Sequence, residues 1–101
     1  MTNAQLKTLL DTTGFPVAYR YFATAQQAPY ICFFFYGDNV FSADSERYHV
    51  ANKYRVELYT AEKDPSAESR VENALAGFVF SKDEDYIESI KMLRTTYEIE
   101  V

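Results

Sequence analysis

The chain has 101 residues, 48% hydrophobic and 17% aromatic, with a formal charge of −5. That length implies one domain of ordinary size over residues 1–101, and the apolar content excludes a disordered chain, whose signature is low hydrophobicity with high charge. The acidity, with ten Lys and Arg scattered rather than clustered, argues against nucleic-acid binding, because backbone contacts and base-stacking grooves both need a basic footprint.

In chain order, the first element is a short helix near residues 3–13. Thr2 and Gln5 form a T-x-x-Q capping box, each able to satisfy an orphan backbone donor. Leu6, Leu9 and Leu10 fall on one face, Gly14 offers a left-handed stop and Pro16 prevents resumption. "VAYRYFA", residues 17–23, suits a strand, and "TAQQAP" breaks it. "YICFFFY", residues 30–36, is apolar on both faces and reads as a central, doubly covered strand.

About ten mostly small or acidic residues then intervene, in "YGDNVFSADSERY" over 36–48, far more than a two-residue hairpin turn needs. This stretch is expected to be a loop, with Phe41 as its one large aromatic. Residues 47–60 give the longest strand signal. Tyr48, Val50, Tyr54, Val56 and Leu58 share one face, with Asn52 the polar intruder, while Arg47, His49, Lys53, Arg55 and Glu57 share the other. Fourteen residues at the strand rise would reach about 46 Å, so part of this hairpin is expected to extend beyond the core.

The second helix is expected near 65–77. Asp64 is its N-cap, Pro65 sits at the first helical position, Glu68 complements the positive end of the dipole, and Gly77 ends it. Ala67, Val71, Ala74, Leu75 and Phe78 form a narrow apolar stripe, so the helix should lie across a sheet. Asp83, Glu84 and Asp85 read as a solvated turn. "YIESIKMLRTTYEIEV" reads as two strand segments, because Ile90 and Met92 have the opposite parity to Leu93, Tyr97, Ile99 and Val101, and an unbroken strand would need a bulge near Leu93. The expected fold is α+β: an antiparallel or mixed sheet of four to five strands with two helices packed on one face.

No stretch carries catalysis. The three glycines at 14, 37 and 77 form no phosphate loop. A single Cys and a single His cannot build a structural zinc site. Cys32 lies in an apolar run, where a thiol behaves as a small hydrophobe, and no base is placed beside it. Asp38, Asn39, Ser42, Asp44 and Glu46 supply oxygens, but their register is not that of a calcium-binding loop; Asn and Asp holding turns is the simpler reading. Neither metal nor cofactor is therefore expected, and an enzyme is not. The start of the chain lacks the features of a signal peptide. The longest apolar run, Tyr30 to Tyr36, is about a third of a membrane span, so a soluble protein made inside the cell, with no membrane partner, is expected.

The segments "PYICFFFYGDNVFSADSERYH", "YRVELYTAEKDPSAESRVENAL" and "YIESIKMLRTTYEIEV" together resemble the tail-completion and tail-terminator (head–tail joining) proteins of long-tailed bacteriophages and prophages. The resemblance covers nearly the whole chain, and its most telling pieces are Pro29-Tyr30, "SAD" with the Tyr beyond it, "ELYT", "YIES" and the C-terminal "YEIEV". It implies a non-enzymatic virion protein, assembled in the bacterial host cytoplasm. Such subunits self-associate into a ring, typically a hexamer, that caps the tail tube and later joins it to the head, with the tail-tube and head-completion proteins as partners. An acidic ring wall would let DNA pass without sticking. Two alternatives stay open: another head–tail connector or tail-assembly protein, or a small prophage-encoded binding module. The candidate interface is the loop, through Asp38, Asn39, Val40, Phe41, Ser42 and Asp44. Phe41 has two readings, a ring folded back over its own sheet or an anchor on a neighbouring subunit, since interface anchors are enriched in buried aromatics.

Overall fold

The computed structural model describes the backbone of residues 1–43 and 47–101, and the side chains of 1–37 and 52–101. Its first helix, α1 (Asn3–Asp11), starts at the capping box anticipated from sequence: Gln5 N–H donates to Thr2 Oγ1 at 3.1 Å and Thr2 N–H to Gln5 Oε1 at 2.8 Å. The helix ends earlier than residue 13 because the Thr12 and Thr13 N–H groups bond three residues back, to Leu9 and Leu10. Their hydroxyls donate to the same two carbonyls, at 2.6 and 2.7 Å, satisfying acceptors the last turn would leave open. Gly14, at φ +84°, then supplies the left-handed exit.

Five strands follow in one mixed, mostly antiparallel sheet: β1 (Val17–Tyr19), β2 (Tyr30–Ala43), β3 (Arg47–Thr60), β4 (Phe80–Ile87) and β5 (Met92–Glu100), ordered β1-β2-β3-β5-β4. The second helix, α2 (Pro65–Ala74), crosses between β3 and β4 in the chain. β1 is the one parallel neighbour, with Val17 opposite Ile31 and Tyr19 opposite Phe33. It stops short of residue 23 because Arg20 adopts φ +69°, which turns the chain out of the extended path.

Ile31, Phe33, Tyr54, Val56, Leu58, Tyr97 and Ile99 from one face of the sheet join Leu6 and Leu10 of α1 and Ala67, Val71 and Leu75 around α2 in a single core. Leu9 and Phe78, expected in that core, pack against it and are partly buried. Both helices thus cover one face, as their single apolar stripes require. α2 ends at Ala74 rather than 77: Ala76 N–H reaches Asn73 O and Phe78 N–H reaches Leu75 O, so the chain leaves through tight turns before Gly77 can act as a stop.

Three expectations are corrected. First, residues 37–43 are strand and not loop: β2 pairs with β3 through Asp38↔Asn52, Val40↔Val50 and on to Ala43↔Arg47. The register shift between Phe35 and Gly37 leaves Tyr36 as one extra residue, and a bulge of this kind lets pairing continue through a polar stretch that alternation alone reads as a break. Residues 44–46 lie outside the described backbone. Second, Asp83, Glu84 and Asp85 lie inside β4; an edge strand with exposed flanks tolerates consecutive charges. The turn comes later, at 88–91, where Lys91 N–H bonds Glu88 O and Lys91 takes φ +52°. That turn absorbs the change of parity between Ile90 and Leu93. Third, β3, not the apolar run in β2, is the middle strand. Ile31, Cys32 and Phe33 are buried, while Phe34, Phe35 and Tyr36 are only half-buried.

The long axis measures 49 Å against 26 and 25 Å across, in keeping with a β2–β3 hairpin that outreaches its neighbours. β5 leaves β3 at Lys53↔Glu100, with Asn52 and Val101 exchanging the last backbone bonds, and β1 leaves β2 at Phe33. Beyond those points the hairpin is a two-stranded ribbon among the described residues.

Leu75 is fully buried and Val79, four residues on, is 93% exposed. Leu75→Ala should therefore lower the unfolding free energy by about 2–5 kcal/mol, whereas Val79→Ala should leave it within about 0.5 kcal/mol; urea unfolding of the two variants checks both.

Candidate interaction surfaces

The sheet face away from the helices carries side chains in rows across the strands. Glu98 of β5 accepts from Arg55 Nε of β3 at 3.2 Å and from Tyr36 OH of β2 at 3.1 Å, while the Arg55 guanidinium sits 4.5 Å from the centre of the Tyr36 ring. Two rows along, Arg94 donates twice to Asp85 of β4, at 3.0 and 2.8 Å, and stands 3.5 Å from Glu57 of β3. Tyr59 OH donates to Glu57 at 2.9 Å and its ring stacks on Tyr30, centroids 4.9 Å apart. Alternation in β3 puts one residue in two on this face; Arg55 lies opposite Glu98 of β5, while Glu57 lies opposite Thr96 and is reached diagonally by Arg94. Such cross-strand pairs hold register. They also leave the face hydrated, as most of these groups are partly exposed.

One end of this face is covered. The segment 20–29 folds back so that Phe22 meets Tyr30 edge-on, centroids 5.6 Å apart. Beneath it lies a shallow depression of about 320 Å³ whose lining includes Arg20, Phe22, Tyr30, Cys32, Tyr59 and Ile90. The Cys32 thiol at its floor is 4% exposed, and burial together with the nearby Glu57 charge pushes its pKa up to about 11. A nucleophilic thiol needs the opposite setting, electropositive and accessible. His49 lies in β3 opposite Phe41, and its side chain is outside the described residues. Among the described residues no group of three His, Cys, Asp or Glu could hold a metal ion, and no helix is long and apolar enough to cross a membrane.

On the helix side one carboxylate is buried among the described residues. Glu68 is 4% exposed; Lys63 Nζ lies 3.0 Å from Oε1 and 2.9 Å from Oε2, and Lys82 Nζ 2.7 Å from Oε1. Lys82 also bonds Glu72 at 2.8 Å, and Glu72 accepts from Tyr97 OH at 2.8 Å. Desolvation pushes the Glu68 pKa up, but hydrogen bonds from Lys82 and Lys63 outweigh it and hold the carboxyl below its ordinary value. This group ties α2 to β4 and was missed in sequence, where Glu68 read only as a dipole partner. The signal was there: Glu68, Val71, Leu75 and Phe78 follow helical spacing, so Glu68 lies on the apolar stripe.

The candidate interface residues fall along the ribbon. Asp38, Asn39, Val40, Phe41 and Ser42 occupy consecutive positions of β2, opposite Asn52, Ala51, Val50, His49 and Tyr48. Their side chains lie outside the described residues, as does Asp44 altogether. The structure thus brings five of the six onto one strand whose outer edge has no backbone partner among the described residues.

No protein-family model and no curated protein matches this sequence. Among solved structures, the chain is similar in fold to a chain in "Virion of native gene transfer agent (GTA) particle", with a TM-score of 0.56 at 14% identity, over 99% of this chain and 86% of that one.

Two predictions follow from these surfaces. With the folded pKa of Glu68 below its unfolded value of about 4.3, its contribution is present above that value and lost as pH falls through the folded pKa. Glu68→Gln should cost about 1–3 kcal/mol at pH 7 and little at pH 2, flattening the acid limb of the stability curve measured by chemical denaturation. Cys32 should react with a thiol reagent at pH 8 only as fast as the protein opens, far more slowly than in denaturant; stopped-flow absorbance reads this directly.

Proposed function

We propose that this chain is a non-enzymatic structural subunit of a phage-like virion, assembled in the bacterial cytoplasm, which forms a ring that terminates the tail tube and joins tail to head. The observation that carries the reading is the β2–β3 ribbon: 14-residue strands that outrun both flanking strands of a small sheet. A lone two-stranded ribbon is marginal in water, and a protein that keeps one has a use for it in contact with another chain. The sequence resemblance to tail-completion proteins and the fold shared with a chain of a gene transfer agent virion support the same class. The net charge of −5 suits a wall past which DNA must slide.

In this role Phe41 is the anchor of the ribbon, and Asp38, Asn39, Val40, Ser42 and Asp44 frame it. The partners are further copies of the chain, in a hexamer, then the tail-tube protein and the head-completion protein. Full burial of one phenylalanine is worth about 2–3 kcal/mol, a factor of about 30–150 in affinity. Phe41→Ala should leave the unfolding midpoint of the monomer unchanged while weakening self-association by that factor. Tail tubes assembled in its presence should be longer than with the wild type and should fail to accept heads in electron micrographs. A variant several kcal/mol less stable that assembles normally would make Phe41 a core residue. Wild-type protein without effect on tube length or head joining would overturn the role.

A further inference from the structure

We propose that copies of this chain associate head to tail by strand addition, the free edge of β4 in one copy pairing with the outer edge of the β2 ribbon in the next. The inference rests on the ring-forming reading above and specifies the contact that would make the ring.

Two edges are open. From Gly37 to Ala43, β2 bonds only to β3 among the described residues, because β1 reaches no further than Phe33 and Arg20 turns the chain away. At the other end of the sheet, β4 runs from Phe80 to Ile87 and among the described residues pairs only with β5. The two stretches match in length, seven residues against eight. Each presents a row of backbone donors and acceptors that proteins ordinarily cover or guard.

Charge chooses between the possible pairings. β4 holds Lys82, Asp83, Glu84 and Asp85 in succession. Glu84 and Asp85 are paired with Lys63 and Arg94, but Asp83 is in no ion pair among the described residues, and a β4–β4 pairing that set it against residue 83, 84 or 85 would bring carboxylates together. The paired stretches 37–43 and 47–53 of the ribbon carry Arg47 and Lys53 against one carboxylate, Asp38, with Asp44 and Glu46 between them in sequence, so Arg47 is the cation offered to an added strand. A strand added to β2 lies about 10 Å from β3, within a Debye length at moderate salt. Apolar residues mark both partners. Val79 and Tyr86, 93% and 52% exposed, bracket β4, and Val40 and Phe41 sit mid-ribbon.

Because the two edges differ and lie at opposite ends of the sheet, the contact is heterologous: every copy offers one of each, and repetition yields a ring if the rotation closes. Asp83 suits a test. Its carboxylate accepts from the Glu84 backbone N–H and is in no ion pair among the described residues, so its replacement breaks none.

The experiment is sedimentation velocity of Asp83→Lys, Arg47→Glu and their equimolar mixture at low salt, with circular dichroism to verify that each variant is folded. Each variant alone should self-associate about fivefold more weakly. The mixture should return to the wild-type size, since each mutated edge then meets a complementary one. Tighter association of Asp83→Lys with wild type than of wild type with itself would indicate β4–β4 pairing and overturn the proposal. So would an effect of Arg47→Glu with none from Asp83→Lys. If wild type assembles and neither variant matters, strand addition fails while the ring reading stands. A wild type that remains monomeric at all concentrations removes both.

Discussion

Everything in this fold is referred to β3. It is the middle strand, it pairs along its length with β2 and over its second half with β5, and its alternation divides the molecule into two unlike faces. Tyr54, Val56 and Leu58 go under the helices, and Arg55 and Glu57 go to the open face. A one-residue slip would exchange the two sets, so the register is held from both sides, by apolar burial and by the charge pairs. With only two helices, each having a single narrow stripe, one face can be covered and the other must be made of groups that tolerate water.

From that constraint the functional character follows. Nearly all the large apolar side chains on the covered face are spent on the core, and on the open face Arg55 pairs with Glu98 and Arg94 with Asp85 and Glu57. The thiol at the one covered corner of that face is buried and held protonated. Among the described residues the sheet also leaves backbone open, at the edge of β4 and along a ribbon that β1 and β5 do not flank. Open strand edges of this kind are what the proposed assembly role would use. The buried Glu68 group belongs to the same design, because it clamps α2 to β4 through Lys82 and steadies the edge strand from within.

Much of this was legible in the sequence. The capping box, the Asp64 N-cap with Pro65 and the alternation of residues 47–60 specify their elements locally, and each was found at its place. Helix ends were misjudged by two or three residues because the last turns tighten, which depends on hydroxyls and backbone rather than on apolar pattern. The ribbon and β4 were misread for one shared reason. Gly37, Asp38, Asn39 and Ser42, like Asp83, Glu84 and Asp85, are turn residues by propensity, but strand pairing is a tertiary matter, and at an edge nothing apolar is required. The charge ladder was invisible for the same cause, since Arg55 with Glu98 and Arg94 with Asp85 meet only once the register is known. The candidate interface residues were read as a loop, and five of the six lie on β2.

The central claim is that the folded chain is an incomplete object that closes on copies of itself. Native mass spectrometry of the purified protein across a concentration series tests it most directly. The account predicts monomer giving way to a single closed species, a hexamer, with no larger members and no ladder of intermediates at saturation. A folded protein that stays monomeric at the highest concentrations, or that grows without limit, would contradict it.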